Sequence, residues 1–331
     1  MNNLLREWVR ARLVDLGEEA VFEVSALRVE ASFREFHRVS IPSARPLSLV
    51  AMYSPPEVPG GAAQNLQFER LAEFLVNHQI PVPEVLAADQ AYGFFLMSDL
   101  GSRHFEDIYP TSAKAAALSS AIETLHHLQH LNPGGLFAPY DRARLAMELG
   151  IFTQWFVEGH LQQTVPDRIS RCFTTLIDSA LAQPQVCIHR DYHCRNLLWS
   201  ADRSPALGIV DFQDALYGPF SYDLCSLLYD CYATFSDDEV QTWVQVFLAG
   251  DDHGVTVNDF LSMLQKMAIQ RMLKAIGIFL RLSRRDQRHT HIEHVYPVLD
   301  RVTLLAAGQP GLSDLAEWLG ALPRPEPGRP D

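Results

Sequence analysis

Hydrophobic and polar positions along this chain follow two regimes, and the change falls near Gly101. Residues 3–16 carry Leu4, Leu5, Trp8, Leu13 and Leu16 at roughly helical spacing before Gly17, which predicts a first helix. Three strand-like segments follow, "FEVSALRVE" (22–30), "FREFHRVSI" (33–41) and "LSLVAMY" (47–53). The proline- and glycine-rich "SPPEVPGG" (54–61) cannot extend the last of them and predicts a loop. "QNLQFERLAEFLVNHQ" (64–79) has Leu66, Leu71, Leu75 and Val76 on one stripe and reads as a helix, and 80–101 reads as two strands around Tyr92-Gly93. Helix, three strands, helix and two strands make a small α+β lobe of about one hundred residues.

Beyond Gly101 helical spacing dominates. Helices are predicted over 111–131, 144–161, 168–183, 221–235, 237–250 and 257–283, with two short apolar strands, 187–189 and 207–212, between them. The last nine residues, "PRPEPGRPD" (323–331), read as a disordered tail.

Composition narrows the class. The chain has 331 residues, 47% of them apolar, enough for two lobes with real cores. Its 27 basic against 40 acidic residues leave a formal net charge of −13, which argues against a nucleic-acid interface and against adhesion to anionic membrane. The N-terminus lacks an unbroken apolar core and no run reaches a membrane span of roughly 20 residues, so a soluble cytoplasmic protein is expected. Five cysteines, without a Cys-x-x-Cys pair, suggest reduced thiols rather than disulfides or zinc. Only Lys114, Lys266 and Lys274 are lysines, so the first 113 residues contain none.

Candidate chemistry gathers in "QVCIHRDYHCRNLLWS" (185–200) and "GIVDFQDALYGP" (208–219). Asp191, Asn196 and Asp211 each lie beside a short apolar strand and carry hard oxygen atoms, a set suited to magnesium nucleotide chemistry. Magnesium is usually held by one or two carboxylates plus substrate phosphates, a share that Asn196 and Asp211 can supply. Asp191 is left to orient a hydroxyl and accept its proton.

"HRDYHCRN" together with "VDFQDALYGPFSYDL" resembles the catalytic and metal-binding loops of the aminoglycoside phosphotransferase family. "ASFREFHRV", "VAMYSPP", "IPVPEVLAAD", "GFFLMSDLG" and "LKAIGIFLRL" are similar, more closely, to bacterial cell-wall sugar kinases that phosphorylate N-acetylmuramate and N-acetylglucosamine at the anomeric hydroxyl. The resemblance runs from about Ala31 to Leu282. It implies an α+β, bilobal, protein-kinase-like fold: a small antiparallel-sheet N-lobe (1–98), a larger mainly helical C-lobe (99–322) and the tail. It also implies ATP and Mg2+ as cofactors, a small amino sugar as partner, and no obligate protein partner.

Carried over by position, the resemblance makes Asp191 the catalytic base and Asn196 and Asp211 the metal ligands. His193 and Arg195 would lie near the transferred phosphoryl group, with His189 and Asp223 as structural residues of the catalytic region. Two departures stand out. No glycine-rich loop is present, since "EASFRE" (30–35) occupies its place, and Met52 stands about where a nucleotide-binding lysine is expected. Ser32, Arg34 and Arg38 are the candidates to replace them, the arginines because they are four apart and share a strand face. Glu69 and Glu73 are candidates for the carboxylate that normally pairs with that lysine. Met97 and Leu100 are expected beside the adenine, Asp214 beside the acceptor, and Arg271 or Lys274 at the lactyl carboxylate, although surface exposure is the plainer expectation for those two. A phosphotransferase for another small alcohol and a nucleotide-binding pseudokinase are the competing readings.

Overall fold

The computed structural model describes residues 1–27, 33–42, 47–251 and 253–324. In chain order its principal elements are α1 (Asn3–Asp15), β1 (Glu23–Ala26), β2 (Glu35–Ile41), β3 (Leu47–Tyr53), α2 (Gly61–Asn77), β4 (Val85–Asp89), β5 (Phe94–Ser98), α3 (Phe105–Ile108), α4 (Lys114–Gln129), β6 (Ala138–Pro139) and α5 (Arg142–Phe152). A π-helical stretch (Thr153–His160) leads to α6 (Asp167–Leu181), β7 (Gln185–Ile188), β8 (Leu197–Trp199), β9 (Leu207–Ile209), β10 (Leu216–Pro219), α7 (Tyr222–Leu228), α8 (Asp237–Gly250), α9 (Val257–Asp286), α10 (Val295–Ala307) and α11 (Ser313–Gly320). The protein is thus α+β, with an antiparallel N-terminal sheet and a helical C-terminal region. It divides into two compact units, Met1–Ala117 with Arg195–Asp214, and Leu118–Cys194 with Ala215–Asp331. None of the described helices is long and apolar enough to cross a membrane. The five cysteines form no disulfide.

In the first unit the strands run in the order β1-β2-β3-β5-β4, all neighbours antiparallel. Period-two alternation sends Leu49, Ala51, Phe94 and Leu96 to one face, where α1 covers them with Leu5, Val9 and Leu13. The buried stripe of α1 therefore has period four, and Leu4 and Leu16 of the predicted stripe face solvent instead. In α2 the buried positions include Asn65, Phe68, Leu71, Ala72 and Leu75, and Leu66 points outward. The β4–β5 turn passes through Gly93 at φ +67°, where a Cβ would lie 2.0 Å from the Ser54 carbonyl oxygen. A two-stranded ribbon, β8 with β9, completes this unit.

The second unit is organised around α9, whose buried positions run from Phe260 to Ser283. Gly277 lets α5 approach closely: a Cβ there would meet the Ile151 and Phe152 backbone at 2.6 Å. Here β10 pairs antiparallel with β7 and parallel with β6.

Several boundaries differ from the sequence reading. The helix predicted over 221–235 ends at Leu228, because Asp230 turns back to accept from the Cys194 and Tyr232 N–H groups and Arg301 donates to the Leu228 and Asp230 carbonyls. The helix predicted over 144–161 begins at Arg142 under an Asp141 cap and widens into the π-helical stretch. The end of the first predicted strand (28–30), Ser32 and the tail from residue 325 lie outside the described residues.

Candidate functional site

In the first unit, the β8/β9 ribbon explains the fifteen-residue separation of two candidate ligands. Leu197 pairs with Ile209, so Asn196, just before β8, and Asp211, just after β9, emerge at one end. The Val210 N–H donates to the Asn196 carbonyl at 3.0 Å, and Asn196 Nδ2 lies 3.5 Å from Asp211 Oδ2, at the limit of a hydrogen bond. Asp211 adopts φ +67°, which ends the strand at Ile209 rather than at 212. That left-handed turn costs about 1–3 kcal/mol and is held by two contacts. Gln213 donates to Asp211 Oδ1 at 2.5 Å, and Phe212 stacks on Phe68 at 5.0 Å. Asp211 and Asp214 both remain exposed. An amide and a carboxylate side by side fit the small protein share of a magnesium site, and no larger His/Cys/Asp/Glu cluster able to hold a metal occurs among the described residues.

The two arginines of "FREFHR" have separate surroundings. Arg34 Nε donates to Ser54 Oγ at 3.2 Å, its guanidinium lies 5.3 Å from the Phe68 ring, and burial pushes its pKa down against the raising influence of Asp211 and Asp214. Ser54 Oγ in turn donates to Asn65 Oδ1 at 2.5 Å, and Asn65 Nδ2 donates to the Ser54 carbonyl at 2.9 Å. A neutral Ser54–Asn65 relay thus links α2 to a cation, while Met52 lies wholly buried in β3. Of the candidate carboxylates on α2, Glu69 accepts from Gln90 and Glu73 faces solvent.

Arg38 makes a bidentate pair with Asp99, Nε to Oδ2 at 2.6 Å and Nη2 to Oδ1 at 3.1 Å, and also donates to the Gly101 carbonyl at 2.9 Å. Burial would raise the Asp99 pKa, but Arg38, Ser48 and the Gly101 N–H bring it below the ordinary value. Arg38 therefore locks the end of β5, where Met97 and Leu100 are buried. Arg195 Nε lies 3.3 Å from Glu106 of α3.

In the second unit, β7 delivers the chain into a loop clamped from below. Both oxygens of buried Asp223 accept successive backbone N–H groups, His189 at 2.6 Å and Arg190 at 2.9 Å. Burial raises the Asp223 pKa, and although these N–H bonds oppose it the value is pushed up to about 7. His189 Nδ1 accepts from the Asp191 N–H at 3.3 Å, and Tyr192 donates to the Ala121 carbonyl at 3.0 Å. Between them Arg190 takes φ +79°, a second strained non-glycine turn. Its side chain is held by Glu148 Oε1 at 2.7 Å.

Asp191 is one-third exposed, with Arg271 Nη2 at 4.0 Å from its Oδ1. Burial acts to raise its pKa, but Lys274, His193, Arg271 and Arg190 outweigh this and hold it at about 2. It is a carboxylate at any working pH. Lys274 donates to Tyr222 at 3.0 Å and lies 3.6 Å from Glu148 Oε2, and both Lys274 and Arg271 sit over the Tyr222 ring. Neither cation is at the surface: Lys274 is buried and the Arg271 side chain is 10% exposed, a correction to the plainer expectation that arises because α9 is the central helix of its unit. His193 meets the Tyr232 ring edge-on at 5.7 Å.

Glu148, Asn65 and Asp99 were not singled out from the sequence. For Glu148 a signal existed, a single acid in the otherwise apolar centre of "RLAMELGIF". For Asn65 and Asp99 the partners are distant in sequence and no local spacing marks them.

The family model for the phosphotransferase enzyme family (APH) matches residues 23–259. An N-acetylmuramate/N-acetylglucosamine kinase of Pseudomonas aeruginosa is 32% identical over 93% of this chain and 91% of its own, and one from Neisseria meningitidis is 33% identical over 85% and 84%. Among solved structures, an ADP-bound aminoglycoside phosphotransferase aligns with a TM-score of 0.60 at 16% identity, covering 90% of this chain and 97% of that one. A choline/ethanolamine kinase family protein from Mesorhizobium loti aligns with a TM-score of 0.64 at 15% identity, covering 95% and 99%. At such identities the likeness shows the fold, which is the protein-kinase-like one that the sequence motifs imply.

Proposed function

Because the chain belongs to the phosphotransferase enzyme family and is therefore a kinase with an alcohol acceptor, we propose that it transfers the γ-phosphoryl group of ATP, with magnesium, to the anomeric hydroxyl of N-acetylmuramate or N-acetylglucosamine. The product would be a sugar 1-phosphate, formed in the cytoplasm during peptidoglycan recycling. The observation that carries the chemistry is Asp191, a partly exposed carboxylate kept ionised by surrounding cations. The acceptor rests on likeness, over nine-tenths of the chain, to relatives that bear those sugars in their names.

Asp191 would align the acceptor hydroxyl and take its proton as the new oxygen–phosphorus bond forms and the bond to ADP breaks. Asn196 and Asp211 would hold magnesium, which supplies charge neutralisation on the nucleotide phosphates. Arg34, beside Asp211 and Asp214 in charge, would meet those phosphates in place of the missing lysine, assisted by Ser32. Arg38 would contribute chiefly by fixing Asp99, and Met97 and Leu100 would form the apolar wall for adenine. His193 and Arg195 would attend the phosphoryl group, Asp214 the sugar hydroxyls and Arg271 an acceptor carboxylate.

The test is magnesium-dependent ADP formation with N-acetylmuramate, N-acetylglucosamine, glucose and kanamycin, with phosphorus NMR of the product. The expected result is stimulation by the two N-acetyl sugars and an anomeric phosphate signal. Turnover of kanamycin alone would overturn the assigned acceptor, and ADP formation that no acceptor stimulates would overturn the transferase reading.

A further inference from the structure

Glu148 of the second unit combines near-complete burial with four polar partners. Its side chain is 1% exposed. It accepts from Arg190 Nη2 at 2.7 Å, from Gln270 Nε2 at 3.1 Å and from Tyr140, and it lies 3.6 Å from Lys274 Nζ. Burial opposes its ionisation, but Lys274 and Arg190 hold its pKa below the ordinary carboxylate value. An isolated buried anion would be costly, so this one persists only as the centre of a paired, hydrogen-bonded cluster. Neither of its cations is incidental. Arg190 is the strained residue immediately before Asp191, and Lys274 is the foremost of the cations that hold the Asp191 pKa down.

We propose that Glu148 is a positioning residue for phosphoryl transfer: it anchors Arg190, and through it the left-handed turn that presents Asp191, and it pairs with the buried Lys274 of α9. The inference rests on the reading of Asp191 as the group that faces the acceptor hydroxyl. Lys274 is faced by Glu148 from α5, by Tyr222 from α7, and by Arg190 and Asp191 from the loop after β7, with Arg271 one turn away on its own helix. Burial and Arg190 act to neutralise it, while Glu148, Tyr222 and Asp191 keep it protonated. Removing the Glu148 charge takes away the first of these supports.

The test compares kcat, KM and pH profile for Glu148→Gln, Glu148→Asp and Glu148→Gln/Lys274→Met, with Asp191→Asn alongside. Glu148→Gln is expected to lower kcat roughly 10- to 100-fold with KM for ATP little changed, the size of effect that misplaced reacting groups produce. Its rate should also fall with rising pH at lower pH than in the wild type, as Lys274 loses its proton, and the added Lys274→Met change should abolish that limb. Glu148→Asp keeps the charge but shortens the reach, so it should lower kcat with a wild-type pH profile, and it serves as the test if Glu148→Gln does not fold. Wild-type kcat in Glu148→Asp and an unmoved pH profile in Glu148→Gln would overturn the proposal. Full turnover in Asp191→Asn would instead overturn the reading on which it rests.

Discussion

The two aspartates proposed to carry the chemistry, Asp211 and Asp191, have surroundings that are opposite in kind. Asp211 in the first unit is exposed and is met by the Asn196 and Gln213 amides and held by its own backbone turn, with Arg34 felt only through charge. Asp191 in the second unit stands on a buried network of Arg190, Arg271, Lys274, Glu148 and Tyr222. Asp211 itself and Arg190, the residue before Asp191, are left-handed non-glycine residues, so each turn is strained. The difference teaches where pre-organisation is needed. On the proposed roles, the group that would receive a soluble cation and its nucleotide keeps its oxygens toward solvent, whereas the group that would align a hydroxyl is fixed beforehand by charges that do not reorganise.

Substitutions can break that contrast. Apart from changes at Asp191, the largest effect is expected from Asp211→Asn, which should lower kcat/KM for magnesium ATP on the order of 10²–10³-fold without altering the urea midpoint. A large loss of stability instead would mean that Asp211 belongs to the buried class. Asp223→Ala removes two acceptors from buried N–H groups and should cost about 3 kcal/mol in urea unfolding, against no more than about 0.5 kcal/mol for the exposed Asp214→Ala. Arg34→Ala should weaken ATP binding about tenfold, the worth of one charge-assisted hydrogen bond. Arg38→Ala should act mainly on thermal stability, and the reverse order in a titration of the two variants would exchange their roles.

A further effect concerns pH. The Asp223 pKa is raised to about 7 in the folded protein, above the ordinary carboxylate value near 4. Its contribution to stability is therefore fully present below about pH 4 and lost as pH rises through about 7. Urea midpoints between pH 5 and 8 should decline more in the wild type than in Asp223→Asn, which lacks that titration. Asp191 behaves oppositely: held at about 2, its contribution is present above about pH 4 and is lost only as pH falls through about 2.

Much of this arrangement was legible in the residue pattern. Strand-like runs bounded by loop residues placed β2, β3 and β5, and the loops around Asp191, Asn196 and Asp211 stood out because they lie beside short apolar strands and carry oxygen-bearing side chains. What escaped has a physical reason in each case. The partners of Arg190 and Lys274 meet across helices that Gly277 brings together, and sequence spacing reports contacts within one helix face, not between faces. Arg34 was marked by its four-residue spacing from Arg38, but its neutral partners Ser54 and Asn65 left no charge pattern to find. Helix α7 stops early through Asp230 and Arg301, residues that ordinary propensity would not single out as terminators. The stripes on α1 and α2 held at Leu5, Leu13, Leu71 and Leu75 but also took in exposed apolar residues such as Leu4 and Leu66.

The most direct measurement pairs equilibrium binding of magnesium ATP with turnover of N-acetylmuramate in Asp191→Asn. The division of labour between the two aspartates predicts wild-type nucleotide affinity with kcat reduced by about 10²–10⁴-fold. Nucleotide binding lost together with turnover, or turnover retained, would contradict it.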